Sequence, residues 1–391
     1  MYLRTFLIVS VISFAFGYDR KITSKLNPDC ASCSENTTLV YIRADGDNNT
    51  VHHLWDFTRG APTMITAVTG LNSSLTVSWF KDKPENFLFS EEPMYSFAMA
   101  IPEIYEYNDL NDLGHMDGRS AGRGIPLGGR RWARQDSVLT ERRAMLLMQA
   151  RARSRNGTVA VKLDFFPSSG FSPELPHLIH TSNSSLLDVQ LVNMSATRGF
   201  NSSRFALRLL LVGTEDDRGT MVEDVVKSLD DEHTPGVFEI IELKTPVCAR
   251  GGGGGGGGGG FLQFRPVAYT EPERGVTTST VVHTSHFNRT HLEKSTTLFT
   301  FYRDHINVEL LIRDVFVSFG EPGDGFYRQH NYTAWSTTFG YGAPPVETFS
   351  LLVILVICIG LSVPAVLAVS GAVYVAARRC RPHPHRRLDD H

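Results

Sequence analysis

Cysteine is scarce in this chain: five among 391 residues. That excludes a small domain stapled by many disulfides. Cys358 lies in an apolar run and Cys380 just beyond it, which leaves Cys30, Cys33 and Cys248. An odd number cannot all pair within one chain. Cys30 and Cys33 have redox-motif spacing. They sit beside Asn27-Pro28 in a loop and not at a helix N-terminus that would lower a thiol pKa, so a structural role is expected. Charge imbalance is also missing. The net charge of −3 points to neither nucleic acid nor an anionic surface as partner.

Signatures of catalysis are absent as well. There is no Gly-x-Ser-x-Gly elbow, no His-Glu-x-x-His and no pair of Cys-x-x-Cys units. The ten glycines from Gly251 to Gly260 lack the Lys-Ser/Thr of a phosphate loop. They are expected to form a flexible insertion between two strands, because glycine loses the most entropy on ordering. Asp230-Asp231-Glu232-His233 gathers metal-ligand types, but adjacent residues of an extended chain point in opposite directions, so a solvated turn is expected. No cofactor, metal site, catalytic residue or small-molecule substrate is indicated.

What is present defines a topology. Phe349 to Ala377 contains no charged residue and is followed by Arg378, Arg379, Arg381, Arg386 and Arg387. A hydrocarbon core of about 30 Å needs roughly 20 apolar residues, so this run spans a bilayer. The arginines mark the cytoplasmic side. At the other end, Thr5 to Phe16 is a short apolar core after Arg4, with Ala15 and Gly17 set for cleavage, as in a secretory signal peptide. The expected layout is a signal peptide (1–17), a lumenal domain (18–348), a transmembrane helix (349–377) and a cytoplasmic tail (378–391).

The lumenal part carries nine Asn-x-Ser/Thr sequons, at Asn36, Asn48, Asn72, Asn156, Asn183, Asn193, Asn201, Asn288 and Asn331, and the tail carries none. Such a set indicates a heavily N-glycosylated domain, each site marking surface. Cys380, next to the membrane, is a palmitoylation candidate. Within the span, Gly360, Pro364, Ala368, Ala372 and Ala376 recur every four residues. They form a stripe on which a partner helix can pack closely, with Ser362 and Ser370 nearby as hydrogen-bonding groups.

The lumenal sequence reads as strands: Leu39–Arg43, Leu75–Phe80, Val159–Phe166, Leu186–Val192, Phe205–Val212, Val237–Leu243, Leu262–Tyr269 and Thr296–Phe319. Many short strands without interleaved helices predict an all-β ectodomain of antiparallel, sandwich-like sheets. Two helices are expected, from Asp136 or Ser137 to about Arg151 and from Met221 to Leu229. Gly118 to Arg134 reads as an exposed loop, and Arg131-Trp132-Ala133-Arg134 fits a minimal convertase pattern within it. His52 and His53 precede Trp55 on a strand, one expected to face the core and one solvent, where the acid of a lumen could protonate it.

Specific strings add to this. Leu39 to Trp55, Ser74 to Trp79, Leu229 to Phe238, Phe264 to Tyr269, Gln329 to Trp335 and Gly342 to Val346 resemble, in order, segments of the glycosylated lysosomal membrane protein family. The resemblance covers most of residues 37–380. It implies a β-rich, N-glycosylated lumenal domain on one span in the lysosomal membrane. It further implies a non-enzymatic accessory subunit that shields a lysosomal major-facilitator dipeptide transporter from lumenal proteases. The partners expected on this basis are that transporter, the bilayer and a second copy of the chain. A cell-surface receptor or adhesion glycoprotein has the same layout and is the alternative. Two departures stand out. The tail has no tyrosine and no acidic dileucine for sorting, and a cysteine that mammalian members carry is missing near His180-Thr181.

Overall fold

A computed structural model describes residues 19–116, 122–151, 157–216, 220–228, 237–246, 259–305, 310–325, 329–347 and 351–379. The signal peptide, Asn156, Asp230–His233, Cys248, Gly251–Gly258 and the tail from Cys380 lie outside these. Two units separate at Pro345/Val346.

The first unit is built from antiparallel strands, as its period-two patterning predicts. One sheet runs in the order Lys21–Leu26, Leu39–Asp45, Thr50–Asp56, Thr63–Thr69, Tyr95–Asn108, Ser203–Asp216 and Leu310–Phe319. A second runs Ala133–Leu139, Ala144–Arg151, Thr158–Phe165, Ser184–Val192, Tyr332–Tyr341, Gly260–Phe264, Glu239–Lys244 and Val222–Lys227. Val267–Tyr269 pairs with Ser279–Thr284 and touches Ala334, so it stitches the two sheets together.

The sheets stack face to face. Val40, Ile42, Val51, Trp55, Phe97 and Met99 of the first meet Leu146, Val161, Leu187, Leu262, Trp335 and Phe339 of the second. Phe97 lies parallel to Phe339 with centroids 4.9 Å apart. The other face of the first sheet is covered too. Leu39, Tyr41, Leu54 and Ile65 pack under the hairpin Leu75–Phe80/Lys83–Phe89 and a short helix, Thr297–Phe301. Being the middle of three layers, Thr50–Asp56 and Thr63–Thr69 are buried at every position. Truncating a large side chain in either core would cost about 2–5 kcal/mol.

Four expectations are corrected. Residues 136–151 form a hairpin, Ala133–Leu139 with Ala144–Arg151, not a helix. Leucine, methionine, alanine and arginine favour helices weakly, but Ala144, Leu146, Met148 and Ala150 repeat every two residues and all face the core, and core burial outweighs propensity. Met221–Leu229 contains the strand Val222–Lys227, where valines suit an extended chain. Thr296–Phe319 opens with a helical turn capped by Thr296 and becomes a strand only at Leu310. Within Gly118–Arg134, Gly122–Pro126 is a strand paired to Glu103–Tyr107. Trp132 is buried, its indole N–H donating to the Gly60 carbonyl at 2.6 Å.

Candidate functional surfaces

Most described sequons stand on turns and strand ends, where the chain reverses and side chains reach solvent. Asn36, Asn48, Asn72, Asn193, Asn201, Asn288 and Asn331 are exposed. Asn72 and Asn193 take left-handed φ of 64° and 54°, which asparagine tolerates better than most residues. Two sequons far apart in sequence come together: Asn331 Nδ2 donates to Asn193 Oδ1 at 2.8 Å. Their strands pair from Val192↔Tyr332 to Ser184↔Gly340, which brings the two asparagines side by side at one end. Asn183 departs from the pattern. It is half-buried, and its Oδ1 accepts from Arg20 Nε at 2.7 Å. Arg20 also donates to the Ala44 and Asn49 carbonyls at 3.1 Å and to Asn49 Oδ1 at 2.7 Å. One guanidinium thus ties the start of the domain to both sheets.

The buried charged groups described below are either ion-paired or hydrogen-bonded, as the cost of desolvation demands. Arg204 reaches Asp109 at 2.8 Å, Asp324 at 2.7 Å and Asp112. Arg208 meets Asp314 at 2.9 Å and Glu103 at 3.2 Å, and Arg274 meets Asp188 at 2.6 Å. Glu106, fully buried, accepts from Thr197 N, Thr197 Oγ1 and Ser203 Oγ. Each carboxylate here already serves a protein donor. Among the described residues no three His, Cys, Asp or Glu side chains are arranged to hold a metal ion. Cys30 and Cys33 are joined in a disulfide.

The histidines differ from expectation, for neither faces solvent. His52 lies under the third layer, Nδ1 on the Tyr41 hydroxyl at 2.8 Å and Nε2 on Thr69 Oγ1 at 2.9 Å. His53 lies in the core between the sheets, Nδ1 3.1 Å from Thr66 Oγ1 and its ring 4.6 Å from Phe165. Its Nε2 is buried without a partner among the described residues. Burial pulls the pKa of His52 down to about 4 and that of His53 down to about 3.

The second unit holds the helix Leu351–Arg379. At 1.5 Å per residue its apolar part, Ile354–Arg379, extends about 39 Å, enough to cross a bilayer with tilt. Gly360, Pro364, Ala368, Ala372 and Ala376 all lie on it and all are exposed. Ser362 and Ser370 return their hydroxyls to the Ile359 and Leu367 carbonyls at 3.0 Å, within the helix itself. Pro364 has no N–H, so it offers no intrahelical donor to the Gly360 carbonyl.

A sequence profile of the glycosylated lysosomal membrane proteins matches residues 38–382. The chain belongs to this family. It is 30% identical over 389 residues to glycosylated lysosomal membrane protein B of Xenopus laevis, covering 94% of this chain and 92% of the relative. The Danio rerio protein is 28% identical, with 95% of each chain covered. The Homo sapiens protein is 26% identical, covering 90% of this chain and 87% of its own length. The chain is thus a lysosomal membrane glycoprotein, and among its described residues one helix, at the C-terminal end, is a candidate span. Sequence reasoning located the sequons and the span. It missed Arg20, whose surroundings carry no motif, and the arginine-rich edge strand Ala133–Leu139, which it divided between a loop ending at Arg134 and a helix starting at Asp136 or Ser137.

Proposed function

We propose that this family member is a non-catalytic accessory subunit that protects a lysosomal major-facilitator dipeptide transporter from lumenal proteolysis. Closure of the ectodomain carries the reading. Proteases cut extended, locally unfolded backbone. Here the middle sheet is covered on both faces and the described sequons stand mainly at the turns, so among the described residues a glycosylated form presents little backbone to cut. Placed over the short loops of a transporter, such a domain would deny access to them. The small-residue stripe on the helix would hold the two proteins in register within the bilayer. The test is the half-life of the transporter in cells lacking this chain, with and without inhibitors of lumenal proteases. Loss of the chain should shorten the half-life, and inhibition should restore it. An unchanged half-life would reject the reading.

A further inference from the structure

One open edge of the second sheet is strongly basic. Its outer strand, Ala133–Leu139, pairs with Ala144–Arg151 on one side and with no strand on the other among the described residues. Residues 122–151 hold seven arginines against two carboxylates, an excess of five positive charges in a chain of net charge −3. Elsewhere several arginines are neutralised: Arg43, Arg204, Arg208 and Arg274 each meet a carboxylate. On this hairpin Arg143 does so with Asp164. Arg131, Arg134 and Arg151 do not. They are exposed and make no ion pair among the described residues.

The register sharpens the point. The ladder ends at Gln149↔Ala133, and Arg131 and Arg151 both lie two residues beyond that pair, at the same end of the hairpin. Arg130 donates to the Arg151 carbonyl at 2.9 Å, which holds the two segments together there. Like charges facing each other across a strand pair oppose its stability. Such an edge repels a second copy of itself, as protected edges do. It does not repel an acidic strand, which could bond the outward backbone of Ala133–Leu139 by displacing two local side-chain contacts, Ser137 N–H to Asp136 Oδ1 at 2.8 Å and Gln135 Nε2 to the Ala133 carbonyl at 3.5 Å. Neither strand of the hairpin carries a sequon, so no glycan on them covers the edge.

We propose that this edge docks an extended acidic segment of a partner protein, which adds as a further strand and sets carboxylates against Arg134, while Arg131 and Arg151 at the end of the hairpin raise the positive charge around it. The register shift between Leu147 and Met148 interrupts the ladder beside Arg134. The added ladder is therefore short, and charge supplies much of the affinity, so binding falls steeply with salt.

The test uses the full glycosylated chain in detergent and a labelled peptide of alternating glutamate and valine, followed by fluorescence anisotropy. A glutamate–proline peptide of equal charge, which lacks half of the backbone donors, is the control. The glutamate–valine peptide should bind, less tightly as salt rises. The glutamate–proline peptide, and the R131E/R151E chain with the first peptide, should each bind about tenfold more weakly. R134E, at an exposed position, gives the same readout should the double variant fold poorly. Equal binding of the two peptides would overturn strand addition. Binding of heparin but of neither peptide would show a surface for polyanions and overturn the proposal, as would unchanged binding in both variants.

Discussion

His52 and His53 are neighbours in one strand and point into two different cores. His52 is held between Tyr41 and Thr69 beneath the hairpin and helix layer, and His53 sits against Thr66 and Phe165 between the sheets. A strand in a two-layer sandwich would have sent one of them to solvent. Three layers leave no such side for Thr50–Asp56.

The pair makes stability depend on pH. An unfolded histidine takes a proton near pH 6.5, whereas these do so only at about 4 and about 3. Between 6.5 and those values the unfolded chain binds more protons, so stability falls as pH falls. The slope is about 1.4 kcal/mol per pH unit for each histidine. Arg43 and Arg20 act in the same direction as burial, and Asp45 against it, on His52 alone. Buried Asp56 has the opposite sign. Burial raises its pKa, so its contribution is present at low pH and lost as pH rises through the folded value. Urea unfolding of the purified chain across this window should show the loss, and His53→Gln should remove about half of the histidine slope. An identical slope in the variant would mean that other groups set it.

Arg204 should be among the costliest charged residues to remove. It is 3% exposed and faces Asp109, itself 2% exposed. Arg204→Leu leaves that carboxylate buried without its cation, at a cost of about 3–5 kcal/mol. Adding Asp109→Asn should recover part of the loss, because the amide carries no charge. A melting curve unaltered by Arg204→Leu would place the anchor of this end elsewhere.

The convertase pattern Arg131-x-x-Arg134 should be silent. A convertase needs the segment extended in its cleft, but Trp132 is buried against Phe57, centroids 5.2 Å apart, and Arg134 already pairs in the ladder. Arg134→Ala should leave the pattern of fragments in cells unchanged. A fragment ending at Arg134 that disappears in the variant would show that the edge opens.

Much of this architecture could be read in the sequence, for a definite reason. Val159–Phe166, Leu186–Val192 and Phe205–Val212 are short, largely apolar runs, and each coincides with a strand, Thr158–Phe165, Ser184–Val192 and Ser203–Asp216. The hairpin at 133–151 deceived because its side chains favour helices, and only contact with the rest of the core reveals a period of two. Sequons are visible as triplets, yet the meeting of Asn193 and Asn331 depends on pairing between strands some 140 residues apart (Val192↔Tyr332). Arg20 gave no signal either, since its four acceptors lie on a strand and on turns that only the folded chain brings together.

The helix offers the last test. Gly360, Pro364, Ala368, Ala372 and Ala376 lie four residues apart, so each step turns the stripe by about 40° and keeps it on one slowly rotating face. In lipid no hydrophobic drive brings helices together, and close van der Waals contact must do it. A leucine at Ala368 or Ala372 would hold the backbones apart, costing on the order of 1 kcal/mol per site. Ala368→Leu/Ala372→Leu should therefore weaken co-purification with the proposed transporter partner while glycosylation and export stay intact. Leucine favours helix and lipid alike, so the span itself would persist. The opposite, lipid-facing side supplies the control: Val366→Leu should change nothing. If the double variant co-purifies as well as the unaltered chain, the lumenal domain alone makes the contact and the stripe has no part in it.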